Sequence, residues 1–174
     1  MTRRHLILVG LPGAGKSTVG QLAAERLGTH CSDPDPLIER ATGLTVAELF
    51  AEEGEAAFRV RERRAVEEAL ALPPHVITPG GGWAAEPGNL DRVAPNAFVI
   101  HLDIEPQAAA RRLADGGASR PLLAGTDPGV RLAQLAERRL PFYRKAGAEI
   151  EVTRLGAEAV AERVVAVARE RAGW

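Results

Sequence analysis

Short apolar runs alternate along the chain with longer stretches whose apolar residues recur every three or four positions. Residues 6–9, 76–78, 98–102 and 150–153 read as strands, each bounded by turn residues. Between them, helical spacing predicts elements over 18–27, 55–72, 106–113, 128–140 and 157–172. Gly28 stops the first of these helices and Pro73-Pro74 the second. Thr45-Val46-Ala47-Glu48 has capping-box spacing and predicts a short helix ending near Gly54. Strands separated by helices predict an α/β fold, a three-layer sandwich with a mostly parallel central sheet of about five strands and helices on both faces.

The first strand–helix junction carries chemistry. Gly10-Leu11-Pro12-Gly13-Ala14-Gly15-Lys16-Ser17 fills every position of G-x-x-x-x-G-K-[ST], and it lies between a strand and a helix, as a phosphate loop requires. Its glycines let successive backbone N–H groups turn inward around phosphate oxygens, and the helix N-terminus adds positive character. Lys16 reaches toward the outer phosphates and the Ser17 hydroxyl toward a magnesium ion. The sandwich is therefore of P-loop NTPase type, and the chain binds a nucleoside triphosphate. Of 22 basic residues, only Lys16 and Lys145 are lysines. A Lys at this one position points to a site that wants a compact ammonium rather than a planar fork.

Composition narrows the partners. The 174-residue chain suits a single domain, 1–174, and at net charge −1 it has no long basic stripe for nucleic acid. Cys31 stands alone, which fits a reducing compartment, and it reads as a small buried residue. His5, His30, His75 and His101 have no ligand-like spacing and read as structural. No stretch approaches the length of a membrane span, so the expectation is a soluble cytoplasmic protein, monomeric by default, acting on small molecules.

Five further features invite a functional reading. Ser32-Asp33-Pro34-Asp35-Pro36 places two carboxylates on one side if the chain is extended, one for a magnesium shell and one for an acceptor proton. Equally, Asp35-Pro36 makes a good helix N-cap with Pro at N1. Arg59 has Glu55 and Glu62 at helical spacing, so it is either an ordinary ion-paired residue or a rigid guanidinium offered to a substrate carboxylate. Gly80-Gly81-Gly82 follows a strand end, where backbone can approach a ligand and donate N–H groups. The Gly-rich stretch 113–128, between two helices, reads as a lid carrying Arg120. Arg139 is either a favourable cation near a helix end or a ligand-binding group. Trp83, Phe142 and Tyr143, taken singly, read as packing residues.

Together these motifs resemble the shikimate kinases. The resemblance rests on the phosphate loop, Ser32-Asp33-Pro34-Asp35, Gly54-Glu55-x-x-Phe58-Arg59, Gly80-Gly81-Gly82, Arg120-Pro121-Leu122-Leu123 and Arg139-x-Pro141-x-Tyr143, over about residues 5–155. It implies ATP-dependent phosphorylation of the 3-hydroxyl of shikimate, in aromatic amino-acid biosynthesis, with Mg2+. Gly13, Ala14, Gly15, Lys16, Ser17 and Thr18 would wrap the phosphates, with Lys16 catalytic, and Ser17 and Asp33 would serve the metal. Asp35 would take or orient the acceptor proton, Arg59 and Arg139 would clamp the carboxylate, and Gly80, Gly81 and Gly82 would face the ring. Arg120 would close over ATP from the lid, Arg154 and one of Arg111 or Arg112 would contact the nucleotide, and about 33–64 would form the acceptor region. Pro79 and Trp83 depart from the family pattern, and a Trp beside the ring would reshape its pocket. Alternatives are a kinase for another small hydroxy acid such as gluconate, or a nucleotide-dependent switch without phosphotransfer.

Overall fold

The computed structural model describes residues 2–115 and 127–174. Five strands, β1 (His5–Val9), β2 (Cys31–Ser32), β3 (Val76–Ile77), β4 (Ala97–Asp103) and β5 (Ala148–Glu151), form one sheet in the order β2-β3-β1-β4-β5. Every pairing is parallel, with β1 in register along β4 from His5↔Ala97 to Val9↔His101. β1 is buried at all five positions, which is why it reads as an unbroken apolar run rather than an alternating one.

Eight helices connect and cover the strands among the described residues: α1 (Lys16–Arg26), α2 (Pro34–Thr42), α3 (Val46–Glu52), α4 (Gly54–Leu70), α5 (Asn89–Val93), α6 (Pro106–Asp115), α7 (Pro128–Tyr143) and α8 (Ala157–Arg171). The chain leaves β1 toward one sheet edge, then travels back through β3, β4 and β5 toward the other. Right-handed crossovers therefore put α1 on one face and the later connections on the opposite one. α1 packs against α8. The two senses of travel diverge between β1 and β3. Open parallel sheets form their ligand crevice at such a point, outside the carboxyl ends of the strands.

Two apolar clusters hold this arrangement. The larger joins both sheet faces, with Leu6–Val9, Val76, Ile77, Ile100, Leu102, Val160 and Val164 among its members. The smaller, built on Ile38, Leu49 and Phe58 with Phe50 packed against them, ties α2, α3 and α4 together away from the sheet. Each fully buried Leu, Ile or Phe contributes about 1.5–3 kcal/mol, so this cluster adds to the packing that holds the three helices to one another.

Local signals explain most boundaries and correct some. The Thr45–Glu48 capping box forms as expected, the Thr45 side chain accepting from the Glu48 N–H and the Glu48 carboxylate from the Thr45 N–H. α2 is capped one Asp-Pro pair earlier than expected. Asp33, extended at φ −108° and ψ 115°, accepts from the Asp35 N–H at 3.1 Å, with Pro34 at N1. Pro36 then falls at N3, where its missing N–H is one of the orphans of a first turn. This corrects both the extended pairing of the two carboxylates and the cap at Asp35. α7 runs past Pro141 to Tyr143 because Pro141 removes one N–H only, and the ladder resumes with Arg144 N–H to Leu140 O at 3.0 Å. The expected lid, 113–128, and its Arg120 lie largely outside the described residues, as do Pro121, Leu122 and Leu123.

Candidate active site

The crevice between β1 and β3 is floored by the phosphate loop. Gly10, Gly13 and Gly15 all have positive φ, at 151°, 85° and 88°. A Cβ on Gly10 would lie 2.5 Å from the Leu102 carbonyl oxygen, and one on Gly13 would lie 2.7 Å from that of Ala109. The loop is thus pressed against β4 and α6, and glycine is required for fit as well as for conformation. The Ala14 side chain is buried in the core and its N–H bonds Leu11 O at 3.1 Å, so this residue shapes the loop from within. α1 begins at Lys16, two residues before the apolar spacing predicts, which aims its N-terminal amides at the crevice.

Lys16 Nζ donates to the Gly10 and Leu11 carbonyls at 3.0 and 3.1 Å, which holds its ammonium over the loop. Ser17 Oγ donates to Asp33 Oδ2 at 2.6 Å. That bond joins the loop to the carboxylate that caps α2. A cleft of about 280 Å³ opens here, lined by Gly13, Lys16, Ser17, Thr18, Asp33, Asp35, Gly80, Gly81, Arg112 and Leu113, among others. Asp35 Oδ1 is buried at its wall. The α2 cap falls to Asp33 rather than to Asp35.

The far wall is built around two arginines. Arg59 on α4 is buried, and its guanidinium donates to Glu62 Oε2 at 2.6 Å and to Glu55 Oε1 at 3.1 and 3.3 Å. Burial works against its charge, but the carboxylates of Glu62 and Glu55 outweigh that and raise its pKa. Glu62 is fully buried and its other oxygen accepts the Gly80 N–H at 2.8 Å. Desolvation pushes the Glu62 carboxyl up to about 7; Arg59 opposes this, and the nearby Asp35 carboxylate adds to it. The arginine side of the pair stays charged, and the carboxylate is the side that titrates.

The triple glycine makes the junction between the two halves. A Cβ on Gly80 would meet Glu62 Oε1 at 2.5 Å, and one on Gly81 would meet Gly10 O at 2.8 Å and Arg139 Nη1 at 3.0 Å. A Cβ on Gly82 would collide with the Arg59 guanidinium and lie 3.1 Å from Arg139 Nη2. The structure therefore brings Arg59 and Arg139 together across Gly82, and each glycine is fixed by a close neighbour. Neither Gly81 nor Gly82 donates its N–H to another described residue. Arg139 is buried, and its Nη1 has no hydrogen-bond partner among the described residues. Gly82, Arg139 and Glu55 also line an adjoining hollow of about 270 Å³.

The other expected residues divide between the cleft and the outside. Arg112 lines the cleft and donates to the carbonyls of Val152 and Leu155 at 2.7 and 3.1 Å, whereas Arg111 is exposed on the outer side of α6. Arg154 is exposed on the β5–α8 connection near Glu151, outside the residues that line the cleft. Trp83 is not beside the cleft: it is 2 % exposed and packs in the main core, with its carbonyl accepting from Asn89 Nδ2. The departure from the family pattern at Trp83 is thus absorbed behind the loop. Cys31 is half-buried, and burial pushes its thiol up to about 11. Tyr143, read from sequence as packing, reaches this wall as well: its hydroxyl donates to Gly81 O at 2.6 Å. Its i+4 spacing from Arg139 was the available signal, since residues so placed share a helix face.

Residues 12–169 match the family model described as shikimate kinase. A shikimate kinase from Caldanaerobacter subterraneus subsp. tengcongensis is 40% identical over 93% of this chain and 94% of its own. The solved shikimate kinase from Acinetobacter baumannii, in complex with shikimate, superposes with a TM-score of 0.90 at 33% identity, covering 97% of this chain and 94% of the other. A gluconokinase from Sinorhizobium meliloti reaches a TM-score of 0.63 at 17% identity, which is a likeness of fold alone.

Proposed function

The chain belongs to the shikimate kinase family, and we propose that it transfers the γ-phosphoryl group of ATP to the 3-hydroxyl of shikimate. The observation that carries this reading is the meeting of Arg59 and Arg139 beside Gly82, with Arg139 reaching on to Gly81, where the Gly10 carbonyl of the phosphate loop also lies close. Two buried guanidiniums suit a carboxylate-bearing acceptor. A nucleotide switch has no use for such a second half-site.

Positioning and charge neutralisation supply the catalysis. The loop amides and the α1 N-terminus orient the triphosphate, and Lys16 leaves the Gly10 and Leu11 carbonyls to follow the phosphoryl group in transit. Asp35 accepts or orients the acceptor's hydroxyl proton from the cleft wall. Arg59 and Arg139 hold the carboxylate, and the Gly81 and Gly82 N–H groups offer donors to the ring. Ser17 Oγ and Asp33 Oδ2, hard oxygen donors in contact beside the loop, fit Mg2+ held jointly with phosphate oxygens. The ion would neutralise charge on the triphosphate. In this reading Arg120 closes from a lid at about 113–128, Arg112 or Arg154 meets the nucleotide, and 33–64 forms the acceptor region of a single domain. The near-neutral charge and single cysteine support a cytoplasmic monomer acting on small molecules. Among the described residues no helix is long and apolar enough to cross a membrane.

A coupled ADP-release assay across small hydroxy acids tests the reading: turnover is expected with shikimate and none with gluconate. Basal hydrolysis unchanged by every acceptor would refute it. In Arg59→Ala, acceptor turnover should collapse while ATP affinity is retained. A matching loss of ATP affinity would assign Arg59 to the nucleotide side.

A further inference from the structure

Three consecutive glycines give the acceptor wall freedom that a binding surface cannot use. Without side chains, the peptide planes of 80–82 can rotate at little steric cost, so something must fix them. Gly80 is fixed by Glu62, which accepts its N–H at 2.8 Å. The Gly81–Gly82 peptide is held from the opposite direction. Tyr143, 2 % exposed at the end of α7, donates its hydroxyl to Gly81 O at 2.6 Å. The ring cannot swing away, because it stacks on His101 of β4 with centroids 4.7 Å apart and planes 28° from parallel. His101 is itself anchored by Glu149 of β5, Nδ1 to Oε2 at 3.0 Å. The support for this one carbonyl therefore runs back to two adjacent strands of the sheet.

In a trans peptide the C=O and the following N–H point in opposite directions. Fixing Gly81 O toward Tyr143 therefore fixes Gly82 N–H on the opposite side of the peptide, and the same hydroxyl lies against the Arg139 guanidinium. We propose that Tyr143 is a positioning residue for the acceptor: its hydroxyl sets the plane of the Gly81–Gly82 peptide, so that the loop's free N–H and the carboxylate clamp present one pre-formed surface. Tyr143 acts through Gly81 and through Arg139, whose guanidinium its hydroxyl meets. α7 thus supplies two groups one turn apart, Arg139 to bind and Tyr143 to hold the wall against which binding occurs. The inference rests on the shikimate reading above.

Tyr143→Phe keeps the ring stack and removes only the hydroxyl. A net hydrogen bond is worth about 0.5–1.5 kcal/mol, or about 2–13-fold in an equilibrium. The expected result is a KM for shikimate raised within that range, with the KM for ATP unchanged. A loosely held acceptor should also let water compete, so ADP released per phosphorylated product should rise above one. Amide exchange of residues 80–82 should quicken while that of α4 and α1 stays as in the wild type. Equal shifts in both KM values together with a lowered Tm would make Tyr143 structural and overturn the proposal. So would a shikimate KM, coupling ratio and loop exchange identical to wild type. Failure of the wild-type protein to turn over shikimate would instead overturn the reading on which the proposal stands, so the two failures are told apart.

Discussion

Glu62 grips both halves of the acceptor wall at once, pairing with the Arg59 guanidinium through one oxygen and accepting the Gly80 N–H through the other. Its carboxyl, pushed up to about 7 by burial, makes that grip depend on pH. Below that value the carboxyl protonates and its ion pair with Arg59 is lost, although the arginine stays charged. kcat/KM for shikimate should therefore fall on the acid side of a limb near pH 7, while kcat/KM for ATP does not share it. Glu62→Gln should flatten that limb and lower the plateau at pH 8 by about tenfold, about 1.4 kcal/mol of lost charge-assisted bonding. An unaltered limb in Glu62→Gln would assign the titration elsewhere. At this scale the sequence named candidate residues and left their meanings open. Arg59 was open between ion pair and ligand clamp; the ion pairs form, with Glu55 and Glu62 holding the guanidinium beside Gly82. Its meeting with Arg139 has no local signature in two helices distant in sequence, so the family resemblance alone pointed to it.

Elements with strong periodicity were legible, and those made by tertiary pairing were not. β2 is two residues long and carries no apolar run; it exists because Cys31 and Ser32 line up with Val76 and Ile77. α2 hides behind Pro34 and Pro36 in its first turn and has Ile38 as its buried apolar residue. α5 is five residues long, too short for a period to register. α1 was legible except for one constraint on its sheet-facing side. Gly20 is mid-helix, where alanine would ordinarily be favoured by about 1 kcal/mol. Yet a Cβ there would collide with the Thr78 methyl and lie 3.0 Å from Cys31 Sγ. Overpacking costs about 1–3 kcal/mol, so packing wins over propensity. Gly20→Ala should lower Tm by about 2–4 °C, measured calorimetrically. A higher Tm would mean that α1 can lift from β3 without cost, and the close seating of α1 on the sheet would then not explain how the loop is held.

Across the whole molecule, two buried titratable groups pull stability in opposite directions as the medium is acidified. Glu62 lies at the carboxyl ends of the strands. At the other ends, His75 is fully buried, bonded to Ser32 Oγ at 3.0 Å and to the Pro73 carbonyl at 2.8 Å. It stacks on His30 with centroids 4.0 Å apart and meets His5 edge-on. Burial lowers its pKa to about 4, the Pro73 carbonyl opposing this and His30 and His5 adding to it; burial lowers His5 too. The unfolded chain takes up protons on histidine below about 6.5, whereas the folded chain holds His75 neutral to about 4. That contribution is therefore complete above pH 6.5 and drains away between there and pH 4. Glu62 runs the other way: its raised pKa gives a contribution that is full below its unfolded value of 4.5 and is lost as pH rises through about 7. Between pH 6.5 and 4.5 the two offset each other, so the wild-type urea midpoint should change little from these groups. Each should be exposed by removing the other. His75→Gln should become more stable relative to wild type as pH falls from 7 to 5, and Glu62→Gln should become less stable over the same interval. With m-values unchanged, the midpoints should diverge in opposite senses; parallel curves for all three proteins would show that neither group is protonated differently in the folded and unfolded chains.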